Sequence, residues 1–182
     1  MHYFTLVGSR QTPDDQAIIL RNYAERLLRK GWTGRSGVSG SADMALNHAL
    51  SRYDAPAEFY IPWEQFNGYS HGDLSGRVIY PKRLGNDNEA TRMIMEVHRF
   101  WGMLTRGAKC LHVRNAYQVL GRDLASPSDV LICWAPVNRN GAVQGGTATA
   151  YNLAMKHEIA CFNLAVPGQR EALDLWLKSK EL

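Results

Sequence analysis

Residues 130–157 read VLICWAPVNRNGAVQGGTATAYNLAMKH, and this stretch decides the class of fold. Val130, Leu131, Ile132, Cys133 and Trp134 form a continuous apolar run, which suits a short strand buried on both faces. From Thr147 onward the composition turns helical, so Gly145 and Gly146 fall in a strand-to-helix turn. In an open α/β sheet ligands bind in the crevice beyond the carboxyl ends of the strands. A helix N-terminus there presents free N–H groups and the positive end of a dipole to an anion. The stretch therefore points to a bound phosphate or carboxylate. The simpler reading is that the glycines merely end a strand and open a loop.

The same strand-then-helix unit recurs toward the N-terminus. Tyr3 to Val7 are β-rich and end at Gly8-Ser9-Arg10; Thr12 is expected to cap a helix with Pro13 at its first position and Asp14 and Asp15 in its first turn. Ala17, Leu20, Ala24, Leu27 and Leu28 follow at helical spacing until Lys30-Gly31 stops the run. Trp32 to Arg35 reads as a second strand. A glycine-rich turn from Ser36 to Asp43 then opens a helix with Ala42, Ala45, Leu46, Ala49 and Tyr53 on one face. Ala57 to Ile61 supplies a third strand. Residues 62–87 are rich in glycine and aromatics without sustained period, which predicts a long loop of functional or interaction character.

Helical patterns resume with Met93, Ile94, Val97, Trp101 and Leu104, and again over Cys110 to Gly121. Ile159 to Ala165 is the last strand, and Pro167 opens a closing helix. Strands alternating with helices predict an α/β fold: one doubly wound, mainly parallel, Rossmann-like sheet with helices on both faces. It is expected to occupy a single domain over residues 1–182, with the long loop at about 62–87. Four turns would then converge at one edge as a nucleotide-sized site: Gly8 to Arg10, Ser36 to Asp43, Pro62 to Gly68 and Gly145 to Thr149.

The bulk composition narrows the class further. A chain of 182 residues, 45% hydrophobic and 21% charged, is long enough to bury a sizeable core. It begins on an apolar run with no basic leader, and no segment reaches the ~20 apolar residues of a membrane span. A soluble, cytoplasmic protein is expected. Cys110, Cys133 and Cys161 are far apart among apolar neighbours, as buried thiols would be, so no disulfide framework, metal or cofactor is expected. The net charge of +4 and pI near 9.0 favour polyanions without the dense Lys/Arg clustering of a dedicated DNA-binding module. No GxxxxGK[ST] phosphate loop is present, which argues against nucleotide hydrolysis coupled to work.

The ordered set VGSR, GVSGSADMALNHA, FYIPWEQFNG, RNAYQVLGRDL and LICWAP…QGGTATAYNLA resembles the Rossmann-like SLOG superfamily, and within it the small DprA/Smf-like proteins of phages and bacteria. The resemblance covers nearly the whole chain. The superfamily includes DNA-processing protein A, which binds single-stranded DNA and loads recombinase, the LOG-type phosphoribohydrolases, which cleave nucleoside monophosphates, and sensors of nucleotide-derived signals. The resemblance implies nucleotide or nucleotide-derived ligand binding at the glycine-rich turns, extending to a nucleic-acid end. It also implies a homodimer or larger assembly, in the host cytoplasm if the chain is phage-encoded.

Carried over residue by residue, Gly8, Ser9 and Arg10 match the superfamily's first phosphate-facing turn. There an arginine makes a bidentate, permanently charged contact, unless Arg10 merely pairs with Asp14 or Asp15. Ser36, Gly37, Ser39, Gly40 and Asp43 match the turn at the second helix, where Asp43 either meets a ribose or base or caps its own turn. Gly145, Gly146, Thr147 and Thr149 match the third turn, and Arg114-Asn115 matches an RN pair of the DprA-like group suited to phosphate and base. Trp63, Phe66, Tyr69 and Trp134 are aromatic faces on which a base could stack, with Trp134 favoured as core; His98 is favoured as an ordinary polar helix residue.

Departures from the pattern bear on the reaction. LOG-type hydrolases carry PGGxGTxxE with a catalytic glutamate; aligned on the glycine pair, Gln144, Ala148 and Asn152 here replace the proline, a glycine and that glutamate. A carboxamide cannot serve as a general base. Binding is therefore favoured over hydrolysis. N-glycosidic cleavage of a nucleotide, with Asp43 or Glu64 as the carboxylate, is the enzymatic alternative. Two binding roles stand beside it: a single-stranded DNA-binding recombination mediator, and a protein that sequesters a cyclic nucleotide signal. DNA-processing protein A normally has flanking domains, which are not expected beside a single domain of 182 residues.

Overall fold

The computed structural model describes residues 1–180 and contains one sheet of six strands, all parallel, in the order β4-β3-β2-β1-β5-β6. The strands are β1 (Tyr3–Gly8), β2 (Thr33–Ser36), β3 (Ala57–Tyr60), β4 (Val78–Ile79), β5 (Val130–Trp134) and β6 (Ala160–Asn163). Seven helical segments, besides two short 3₁₀ turns, connect or follow them: α1 (Asp14–Arg29), α2 (Ser41–Leu50), the four-residue α3 (Asp73–Gly76), a left-handed turn with positive φ at Leu74 and Ser75, α4 (Asp87–Val97), α5 (Arg106–Leu120), α6 (Thr147–Lys156) and α7 (Gln169–Ser179).

Both faces of the sheet are covered, which is why its strands read as apolar runs rather than as alternations. Phe4 and Leu6 of β1, Phe59 of β3 and Val130 and Ile132 of β5 pack with the buried faces of α1, α2 and α7. Val7, Tyr60, Leu131 and Cys133 point the other way, into a second core built with α4, α5 and α6. Cys133 is buried there, Cys110 and Cys161 are half-buried, and all three are free thiols. No helix among the described residues is long and apolar enough to cross a membrane.

Three local expectations are corrected. The segment 62–87 is not a featureless loop. Val78 and Ile79 form the edge strand β4, tied in by Phe59 N–H to the carbonyl of Arg77 (2.9 Å) and Ile61 N–H to that of Ile79 (3.0 Å). Two residues are too few to show a period of two in the sequence. The helical pattern from Met93 to Leu104 is broken, because His98 adopts an extended conformation and Trp101–Met103 is only a 3₁₀ turn. Thr12 does not cap α1: its hydroxyl donates to the carbonyl of Ser9 (2.6 Å), and Pro13 takes the cap position without a side-chain hydrogen bond.

One buried network fixes the end of α5 and thereby its inward face. The guanidinium of Arg35, only 2% exposed, donates to Glu58 Oε2 (2.8 Å) and to the carbonyl of Ser126 (2.6 Å), and lies 3.8 Å over the ring of Tyr3. Arg122 donates to the other Glu58 oxygen (2.9 Å). Gly121 ends α5 at φ +80, and a Cβ there would stand 2.5 Å from the Arg35 guanidinium. A side chain would be both strained and obstructed at this position. Midway along β1, the Thr5 hydroxyl donates to the carbonyl of Gln118 (2.6 Å), a second tether between α5 and the sheet.

Candidate functional site

The strand order places successive connections on opposite sides of β1: β2, β3 and β4 extend the sheet one way, β5 and β6 the other. The carboxyl ends of β1 and β5 therefore flank the topological switch point, where open α/β sheets form their binding crevice. A cavity of about 540 Å³ lies there. Its walls come from the end of β1 (Val7 to Gln11), the turn before α2 and its first turn (Ser39, Asp43), one face of α5 (Ala108 to Gln118) and the start of α6 (Gln144 to Thr147).

Arg10 lines the cavity and, among the described residues, enters no ion pair; the pairing with Asp14 or Asp15 is not formed. Ser9 is held in place by its N–H on the carbonyl of Trp134 (2.9 Å) and by its hydroxyl oxygen, which accepts from Gln11 N–H (3.1 Å). Gly145, Gly146 and Thr147 bring the N-terminus of α6, the positive end of its dipole, to the cavity; within its first turn the Ala148 N–H is already bonded to the carbonyl of Gly145 (3.2 Å). Asn115 steadies the turn by donating to the carbonyl of Gly146 (3.0 Å).

Asp43 and Arg114 meet at the base of the cavity, 3% and 8% exposed. Asp43 Oδ2 accepts from Ser39 N–H (3.1 Å) and lies 3.9 Å from the Arg114 guanidinium, whose other arm donates to Ser39 Oγ (2.7 Å). Asp43 thus caps its own turn and lines the cavity as well. Burial pushes its carboxyl above the ordinary range, against the opposing pull of Arg114 and of the Ser39 and Gly8 amides. The backbone of Gly37 runs directly behind: a Cβ there would stand 2.6 Å from Arg114 Nη1, 2.6 Å from Asp43 Oδ2 and 2.8 Å from Gln118 Nε2.

Of the residues expected at the site, Gly8, Ser9, Arg10, Ser39, Asp43, Arg114, Asn115, Gly145, Gly146 and Thr147 line this one cavity. Thr149 stands one step back, sharing a hydrogen bond between its hydroxyl and His112 Nδ1 (2.8 Å). Gly40 packs near Arg10 without lining the cavity. Trp63, Phe66 and Glu64 do not line the cavity, although the Phe66 ring lies 5.9 Å from the Arg114 guanidinium. Phe66 is buried in the first core with Trp63 edge-on against it, and Glu64 binds Arg83 (2.7 Å) and His71 N–H (2.9 Å). Asn152 is exposed and outside the lining.

The sequence reading missed His112 and Gln118. Both sit on the face of α5 that carries Asn115, three residues to either side, so helical spacing from Asn115 is the signal that locates them. His112 is held neutral: burial first, then His98 at 4.4 Å between ring centres and Arg114, lower its pKa to about 4. The folded value lies below the unfolded 6.5. The stability this contributes is therefore present above pH 6.5 and lost as pH falls toward 4, because the unfolded chain takes up the proton first. Urea melts at pH 7.5 and 5.5 should show the wild type losing more stability on acidification than His112→Asn; equal losses would contradict the assignment.

No family model, curated protein or solved structure matched the chain. What the cavity can do rests on its own chemistry. Among the described residues no three His, Cys, Asp or Glu side chains are grouped as for a metal ion. The cavity is lined by the Arg10 guanidinium, the N-terminal turn of α6 and the buried Asp43–Arg114 pair, with Arg10 near enough to Arg114 for the two guanidinium groups to repel. Two guanidinium groups and a helix N-terminus around one cavity suit an anion.

Proposed function

We propose that this cavity binds a nucleotide or nucleotide-derived ligand through its phosphate, in a DprA-like member of the SLOG superfamily. The observation that carries the reading is Arg10, a guanidinium without an acidic partner among the described residues, lining the same cavity as the N-terminus of α6. The volume of about 540 Å³ falls within the ~300–1,000 Å³ of small-molecule sites. Binding without turnover is favoured because the position of the hydrolase glutamate is Asn152, exposed and off the cavity.

One observation favours a second reading, N-glycosidic cleavage: Asp43 is a cavity carboxylate whose proton affinity is raised by burial, as a general base requires. Glu64 has no such place. Released free base, measured by chromatography after incubation with nucleoside monophosphates, would bring this reading forward.

Arg10→Ala should weaken binding of the best nucleotide by tenfold or more, since a charge-assisted hydrogen bond contributes about 1.5–3 kcal/mol. Titration calorimetry on both proteins checks this. Unaltered affinity for every nucleotide and for single-stranded DNA would remove the phosphate assignment. Binding confined to long oligonucleotides, with steep salt dependence, would move the recombination-mediator reading to first place.

A further inference from the structure

Two hydrogen bonds tie α5 to the first turn of α6 at the cavity wall: Asn115 to the carbonyl of Gly146 (3.0 Å) and, one helical turn earlier, His112 Nδ1 with the hydroxyl of Thr149 (2.8 Å). They set the His112 imidazole beside the positive end of the α6 dipole, on the wall of the same cavity. Thr149 is buried, and His112 Nδ1 is the one group its hydroxyl meets among the described residues. A buried hydroxyl left without an acceptor is costly, so Thr149 donates and Nδ1 accepts. The imidazole is neutral at pH 7, because burial, His98 and Arg114 all oppose its protonation. Its single ring proton is therefore on Nε2. That nitrogen has no protein partner among the described residues, yet His112 is only half-buried and Nε2 keeps accessible surface.

We infer that His112 is a further ligand-contacting residue of this cavity: its Nε2–H donates to a phosphoryl oxygen held at the N-terminus of α6, and Thr149 fixes the tautomer that makes this possible. The inference rests on the phosphate reading above. A neutral donor suits the place. Arg10 and Arg114 already bring two guanidinium groups to the cavity, and a third cation beside them would meet their repulsion before any anion entered. A neutral N–H adds a directed hydrogen bond without that cost, and the bond becomes charge-assisted once a phosphate accepts it. The titratable groups facing the ring are His98, whose ring centre is 4.4 Å away, and Arg114 on the same helix, and neither is hydrogen-bonded to Nε2. Asp43, the acidic residue of the lining, is taken up by Ser39 N–H and Arg114. The acceptor for Nε2–H is left for the ligand to supply.

The test uses the full chain, with ribose 5-phosphate and the tightest of AMP, GMP, CMP and UMP as probes. Long-range proton–nitrogen NMR of the wild type at pH 7, with the His112 ring assigned through its backbone, should show Nδ1 bare and Nε2 protonated, and the Nε2 signal should shift on saturation with the nucleotide. The opposite tautomer, or an Nε2 that the nucleotide leaves unmoved, overturns the inference without any variant having to fold. In titration calorimetry His112→Leu should bind both probes about tenfold or more weakly than the wild type. His112→Gln, whose amide N–H reaches about as far as Nε2, should stay within about threefold. A folded His112→Leu with wild-type affinity overturns the inference, and so does a folded His112→Gln as weak as His112→Leu, which would mark a packing role. If Arg10→Ala loses binding while His112→Leu keeps it, the phosphate reading stands and this inference alone falls. Failure of all five compounds to bind the wild type overturns the phosphate reading, and this inference with it.

Discussion

Gly37→Ala is expected to abolish measurable nucleotide binding, lowering affinity by about 100-fold or more, although the substitution adds a single methyl group that touches no ligand. The new Cβ would stand 2.6 Å from Arg114 Nη1 and Asp43 Oδ2 and 2.8 Å from Gln118 Nε2, well inside van der Waals contact. Side-chain ends at the surface would swing aside at little cost. These three are buried, and two are tied to Ser39 and to each other, so they must move together into the cavity. Overpacking of this kind costs about 1–3 kcal/mol of stability, and misplacing a binding constellation by ~1 Å is enough for a 100-fold effect. Calorimetry with the tightest nucleotide and a thermal melt check both parts. Wild-type affinity in Gly37→Ala would mean that these three side chains do not form the binding surface.

The second large effect is on the fold. Asp43→Ala should destabilise the protein by about 3–5 kcal/mol at pH 7, the usual consequence of leaving a buried charge without its partner. Arg114 is 8% exposed, and Asp43 is its only acidic partner among the described residues. The Ser39 N–H would lose its acceptor as well. Asp43→Asn should cost less, because it keeps an oxygen for Ser39. It also removes the penalty the wild type meets as Asp43 ionises. A carboxyl whose folded pKa is raised contributes stability below its unfolded pKa of 3.8 that is lost as pH rises through the folded value. Urea denaturation of the three proteins at pH 7 separates these terms. Equal stability of wild type and Asp43→Ala would show that Arg114 is not held by this pair.

Much of the fold was readable in the chain. The apolar runs at Tyr3–Gly8 and Val130–Trp134 are long enough to identify the two strands that flank the switch point, and the glycine-rich turns after them lie where the cavity forms. What escaped reading has physical causes. The edge strand is two residues long, and its pairing with β3 is a tertiary fact with no local signature. Trp63 and Phe66 look like a stacking platform in the sequence; in the fold Phe66 supplies apolar surface to the first core and lies 5.9 Å from the Arg114 guanidinium, with Trp63 packed on its edge, a placement no local pattern reveals. Gln118 is an ordinary polar residue within a helical pattern. Its spacing of three from Asn115 puts it on the same helix face, but its complete burial without a partner belongs to the folded chain.

Whether the switch-point cavity takes a nucleotide by its phosphate is tested most directly by native mass spectrometry of the protein, alone and with nucleoside mono-, di- and cyclic phosphates and short oligonucleotides. The same spectra report whether copies of the chain associate. The expected result is an adduct of one nucleotide per chain that disappears in Arg10→Ala. No adduct with any of these compounds, or one that Arg10→Ala leaves intact, would contradict phosphate binding at this cavity.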